Sequence, residues 1–383
     1  MRTAAALICL IAASPAGAHD SVVPLNGEEP HDHAHASDGI WDLLLPDAEA
    51  YADITVDGNS RRIRANGYPD KAPGTFPNRN NPHSISKKNY NLKVPLNPKN
   101  NGRATNAQGA VFGIAINGVV MDPGTAEYWN NDRRSGWNYE ALGGACQLGL
   151  DKYNAHVQPD GTYHYHGIPT GVLAAQGGSS APALLGFAAD GFPIYGPYGY
   201  SNPQAPSRVA KLSSSYRVKS GTRPDGPGGR YDGKFTQDWA YVAGAGDLDA
   251  CNGRFAVTPE YPQGTYHYVL TESFPFIPRC WMGTPDSSFS RLKRGGGGQR
   301  RGDLKNGPET PDQAPAIDFA AFSDNSAATI TLVQHHGGRP PRFLPGGRPP
   351  PPGAGRGPGQ GPRNGLGPQG GNRPGGRGPC SGS

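Results

Sequence analysis

Histidine and tyrosine alternate at Tyr163-His164-Tyr165-His166, and a third histidine, His156, stands a short way upstream. In an extended strand consecutive side chains leave on opposite faces, so His164 and His166 share one face while Tyr163 and Tyr165 take the other. Between His156 and this run lies Gln158-Pro159-Asp160-Gly161-Thr162. It offers Pro for the second position of a type I turn and Gly where a positive φ is needed. A three-residue loop there sets Gln158 opposite Thr162, His156 opposite His164 and Asn154 opposite His166. Directly opposed residues have Cβ atoms about 4.5–5.5 Å apart, so this register gathers His156, His164 and His166 into one cluster. A two-residue Asp-Gly loop would instead turn His156 onto the tyrosine face. Three neutral imidazoles suit a divalent transition metal ion, copper or zinc, and the pattern serves carriage, storage or catalysis equally.

The elements that must hold this cluster repeat along the chain. Residues 113–120 (GIAINGVV) resemble 186–193 (GFAADGFP), and 161–168 (GTYHYHGI) resemble 264–270 (GTYHYVL), in the same order. The second copy is degenerate: Val269 replaces the last histidine, and Arg254 stands where a counterpart of His156 belongs. Its one imidazole, His267, is expected either to complete the cluster as a fourth ligand or to be a satisfied core residue. Asp160 and Asp190 each precede a glycine, and they either orient ligands and exchange protons or simply make turns. Asn130-Asn131-Asp132-Arg133-Arg134 fits a polar site or a capped loop equally.

Composition excludes other architectures. With 57 Gly and 40 Pro in 383 residues, a helical bundle is ruled out. The alternating stretch 52–67 around Asp57-Gly58 reads as a hairpin, 90–95 as a strand, and 111–121 as a buried strand broken at Asn117-Gly118. The expected fold is all-β, a sandwich-like domain at 40–285 built from the two imperfectly repeated units. Residues 286–336 are expected to form a basic linker with a late strand at 327–333. Residues 337–383 hold 17 Gly, 12 Pro, seven Arg and no acid, a composition for a disordered tail. Subtracting these basic segments leaves the folded stretch mildly acidic. No Gly-x-Ser-x-Gly elbow, His-Glu-x-x-His helix or phosphate-binding glycine loop occurs, which weighs against hydrolase and nucleotide chemistry.

Residues 1–18 combine Arg2, an apolar run too short to span a bilayer, and Ala16-Gly17-Ala18, the pattern of a signal peptide. The mature chain is therefore expected to be exported, periplasmic or secreted, with no transmembrane segment. Its polar leader, 19–39, carries His19 at the expected cleavage point, where a histidine-brace copper chelate is one reading. It also carries His31, His33 and His35, a short metal-capable tract. Cys146, Cys251, Cys280 and Cys380 would then face an oxidising compartment. Cys251 and Cys280 bracket one aromatic hairpin and are expected to pair, whereas Cys146 and Cys380 are left open. The Arg-rich tail has the charge to bind an anionic extracellular polymer or the cell envelope. Export argues against nucleic acid.

The stretches NAHVQPDGTYHYHGIP (154–169), ADGFPIYGPYGY (189–200) and LDACNGRFAVTPEYPQGTYHYVLTESFPFIPRC (248–280) resemble the YHYH-domain family of exported bacterial proteins. TFPNRNNPHSIS (75–86) and FGIAINGVVMDPGTAEYWNNDRRSGWNYEAL (112–142) fit the same pattern. The resemblance implies a metal-binding role for the motif and leaves the biochemistry open. Two further readings stand beside metal binding: a copper-dependent oxidoreductase acting on an extracellular polymer, and a structural or matrix-adhesion protein working through its cationic tail.

Overall fold

The structure, a computed structural model, describes residues 50–292 and Cys380. The expected signal peptide, the leader with its histidines, the late strand and most of the Arg-rich tail lie outside the described residues.

The described residues open with an antiparallel meander, β1 (Ala52–Asp57), β2 (Ser60–Ala65) and β3 (Tyr90–Pro95). Its first turn is the predicted one, with Asp57 facing Ser60 across Gly58 and Asn59. After the two-residue β4 (Thr105–Asn106), β5 (Gly113–Ala115) and β6 (Val120–Met121) form a hairpin about Asn117-Gly118, Gly118 having φ +82°. Then come β7 (Ala155–Val157), β8 (Tyr163–Tyr165) and a six-residue helix, α1 (Thr170–Ala175).

The second half repeats this plan with an insertion. β9 (Leu184–Ala188) and β10 (Pro193–Tyr195) pair about Asp190-Gly191. The inserted stretch folds as two ribbons, β11 (Tyr198–Tyr200) with β12 (Val209–Lys211), and β13 (Tyr216–Val218) with β14 (Trp239–Tyr241). β15 (Gly253–Ala256) and β16 (Thr265–Val269) then pair as β7 and β8 do, and β17 (Cys280–Trp281) pairs with β4.

Eight of these strands make one sheet in the order β15-β16-β10-β9-β5-β6-β8-β7. The order is palindromic in plan. On either side of the β5–β9 seam an antiparallel hairpin is followed by a parallel neighbour, β8 beside β6 and β16 beside β10, and that neighbour carries its own hairpin partner at the edge. The repeated glycines explain the seam. A Cβ on Gly113 would lie 2.5 Å from the Phe187 carbonyl oxygen, and one on Gly186 would lie 2.3 Å from that of Ile114. Neither position tolerates a side chain without parting the strands.

The all-β prediction holds, and the layering is drawn differently from two facing repeats. The repeats join edge to edge in the large sheet, and the meander supplies the second layer. Ile63, Leu92 and Val94 share one core with Ile114, Phe187 and Ile194. Arg61 lies with its guanidinium carbon 4.6 Å from the Phe187 ring centre and donates to the Leu96 carbonyl (3.0 Å) and the Tyr261 hydroxyl (2.9 Å). Two disulfides fasten the domain, the expected Cys251–Cys280 and also Cys146–Cys380. Among the described residues no helix is long and apolar enough to cross a membrane.

Candidate metal centre

The edge hairpin β7–β8 adopts the three-residue loop. Gln158 N–H donates to the Thr162 carbonyl at 2.9 Å and Gly161 N–H to the Gln158 carbonyl at 2.8 Å, so Pro159, Asp160 and Gly161 form the turn. His156 therefore pairs with His164, and His166 N–H donates to the Asn154 carbonyl at 2.8 Å. Asp160 serves the turn: its carboxylate accepts Thr162 N–H at 3.0 Å and lies 3.7 Å from the Lys88 ammonium. Asn154, at φ +60°, starts the strand from the left-handed region and donates through Nδ2 to the Ile168 carbonyl at 2.8 Å.

The three imidazoles converge. His164 Nε2 is 2.9 Å from His166 Nε2, which is 3.0 Å from His156 Nε2, and the ring centres lie 4.6–4.7 Å apart. The outer nitrogens of two rings are already used. His156 Nδ1 faces the Leu148 carbonyl at 2.8 Å and His164 Nδ1 faces that of Thr162 at 3.2 Å. A carbonyl only accepts, so both Nδ1 atoms carry the proton and both Nε2 atoms turn a lone pair inward. One proton on His166 Nε2 can satisfy one of the two short contacts well. A cation satisfies all three nitrogens together.

Two of the three nitrogen separations are near those of a bound ion, and all three ligand atoms lie within 4.8 Å of one another. Zinc–nitrogen bonds of about 2.0–2.1 Å at tetrahedral angles put neighbouring nitrogens about 3.4 Å apart, so the rings need to part by only a few tenths of an ångström. Backbone carbonyls behind the ligand rings fix ring orientation in the way metal-binding histidines require. Burial pushes the His156 pKa below its ordinary value, against the Leu148 carbonyl and the carboxylates of Glu127 and Asp122, which favour its charged form. The neutral, ligating form is thereby favoured. His164 and His166 are buried.

The tyrosines point to the opposite face and act as struts. Tyr163 donates to Asp151 at 2.6 Å, and Tyr165 accepts from Asn117 Nδ2 at 2.9 Å. Burial raises the pKa of both phenols, which therefore stay protonated.

Asp190, expected beside the cluster, and His267, read either as a fourth ligand or as a satisfied core residue, belong to the other half of the sheet. His267 faces Arg254 across the β15–β16 hairpin, as His156 faces His164 across β7–β8, and its Nδ1 donates to the Thr265 carbonyl at 3.1 Å. Its ring packs 5.0 Å from that of Tyr195, and four strands separate β16 from β8, so it supplies no fourth ligand. Asp190 sits in the β9–β10 turn, where its carboxylate accepts from the Tyr268 hydroxyl at 2.6 Å and Gly283 N–H at 2.9 Å. Burial raises its pKa to about 6.

Sequence reasoning missed the surroundings of the cluster. A cavity of about 260 Å³ opens beside the three imidazoles, with Asn81, His83, Asp122, Glu127 and Gln158 on its walls. Asp122 is buried, and its carboxylate accepts Gly124 N–H at 3.2 Å and Gln158 Nε2 at 3.3 Å. The repeat held an available signal, because extending the match between 113–120 and 186–193 puts Asp122 opposite Tyr195, an acid that the degenerate half lacks. Asp151 was missed in the same way. It binds Tyr163 as Asp249 binds Tyr266 at 2.9 Å, and each acid stands three residues before its left-handed asparagine, Asn154 or Asn252.

A family model described as YHYH protein matches residues 91–283, a span that contains both halves of the eight-stranded sheet. No curated protein and no solved structure matches the chain.

Proposed function

Because the chain belongs to the YHYH protein family, we propose that its Tyr-His-Tyr-His motif is a metal-binding hairpin, and that this protein is exported and holds one divalent transition metal ion, zinc or copper, on His156, His164 and His166. The observation that carries the reading is the convergence of three Nε2 atoms, two of them turned inward by carbonyls bonded to the opposite ring nitrogens. When bound, the ion supplies a positive charge and Lewis acidity at the cavity wall. The chain's residues hold the rings neutral and aim them, and Asp122 and Glu127 place negative charge nearby. Export is supported by the signal-like first 18 residues and by two disulfides.

A second reading, catalysis by the bound metal, is favoured over pure storage by one observation. The cavity adjoins the imidazoles, and a three-ligand site with space beside it keeps a coordination position for a substrate. Binding of anionic polymer by the Arg-rich tail stands as a separate proposal that rests on charge alone.

Metal analysis of tag-free protein tests the main reading. One zinc or copper ion per chain is expected in the parent and less than a tenth of that in a His164→Ala, His166→Ala double variant. Equal metal content in the two proteins would remove the hairpin from consideration.

A further inference from the structure

The cavity beside the cluster has a chemistry of its own. Its volume of about 260 Å³ exceeds the roughly 30 Å³ share of a single water and admits a small organic molecule. Among the described residues that line it there is no Lys or Arg, and there are two acids, Asp122 and Glu127. Such a wall offers carboxylates and phosphates no cationic side chain. Its three carboxamides each give a hydrogen to the protein: Asn80 Nδ2 to Gln147 Oε1 at 3.4 Å, Asn81 Nδ2 to the Val157 carbonyl at 2.9 Å, and Gln158 Nε2 to Asp122 at 3.3 Å. Acceptors therefore predominate, since a carboxylate offers about four lone-pair sites.

The other half of the sheet shows that this space is specific to the half with three imidazoles. There Arg254 replaces His156 and reaches outward, donating through Nη2 to the Tyr200 carbonyl at 2.9 Å. Tyr200 is the repeat's counterpart of Glu127, and Gly199 that of Ala126. A Cβ on Gly199 would lie 2.4 Å from that same Nη2, so the guanidinium fills the space that the shorter His156 leaves open in the first half.

Charge then selects the ligand. A divalent ion on three neutral imidazoles is balanced by the two carboxylates, which leaves no net charge to attract a further cation. We propose that the cavity binds a small, uncharged, hydroxyl-rich molecule of the polyol or sugar class, its O–H groups donating to Glu127 and Asp122 beside the metal. This inference rests on the metal-binding reading.

Isothermal titration of the full chain, zinc-loaded and metal-free, separates the two. Glycerol and D-glucose serve as hydroxyl probes, with ethylamine and acetate as charged comparisons. Saturable binding of at least one hydroxyl probe to the zinc-loaded protein is expected, with ethylamine weaker than that probe. Glu127→Ala, a change at a half-buried wall position, should weaken that binding about tenfold when compared with the parent in protein loaded to one zinc per chain. One bound zinc with no saturable hydroxyl-probe binding, with ethylamine binding tighter than both probes, or with no effect of Glu127→Ala overturns the ligand class alone. A zinc content near zero removes the metal reading, and the present inference falls with it.

Discussion

The Leu148 carbonyl decides which nitrogen of His156 faces its neighbours, and the Thr162 carbonyl does the same for His164. These two backbone groups were hidden in the sequence, whereas the histidines themselves were plain, because side-chain type shows in the letters and the partner of a ring nitrogen depends on the path of a distant loop. His267 shows the converse, being recognisable as a repeat of His164 while the choice between ligand and core residue waited on the strand order. Burial, with the Arg254 charge added, pushes its pKa down to about 3. Below its ordinary value near 6.5 the unfolded chain takes up a proton that the folded one refuses. Its contribution is therefore complete above pH 6.5 and is lost as pH falls toward 3, at up to about 1.4 kcal/mol per pH unit. Asp190 and Asp249, raised to about 6 by burial, act in the opposite sense, since between pH 6 and 3.8 the folded state holds protons that the unfolded state lacks. Urea unfolding of metal-free protein at pH 6.5 and pH 5 should thus show His267→Phe relieved of a loss of about 2 kcal/mol relative to the parent. Parallel pH trends in the two proteins would mean that the ring is charged in the fold.

At the scale of strands and turns, the loop length of one hairpin settles the register of the site. Pro159-Asp160-Gly161 places His156 on the imidazole face, and that was legible because turn residues and strand alternation are local properties. The β5–β9 seam was not legible, because pairing between distant strands leaves no local mark beyond the two glycines that permit it. Gly186→Ala would drive a Cβ against the Ile114 carbonyl oxygen at 2.3 Å. The rigid contact is backbone on both sides, so a destabilisation of about 3 kcal/mol is expected, read as a lower urea midpoint. A midpoint equal to the parent's would show that the strands can slide apart freely.

Over the whole molecule the palindromic sheet presents two versions of one design, three imidazoles beside a cavity in one half and a histidine facing an arginine in the other. The second carries a permanent positive charge, Arg254, where the first places His156. Restoring the missing rings tests the equivalence. Arg254→His with Val269→His should raise the zinc content from one ion per chain to two, measured by elemental analysis against protein concentration. A ratio that stays at one would mean that the second hairpin, with Tyr195 packed on His267, no longer has the geometry of the first. The repeat was legible in the letters and correctly implied two like units. Their arrangement was not, because a sandwich and a continuous sheet bury the same alternating residues and differ only in which edges meet.

The Cys146–Cys380 bond spans 234 positions of sequence and closes the domain and the long basic segment into a covalent ring. A protease that cuts once anywhere between Leu292 and Cys380 therefore releases nothing: the severed piece stays bound through sulfur beside Leu148, on the wall of the cavity. Release of the piece that carries Cys380 then needs a reductant, and release of the stretch before it needs a second cut.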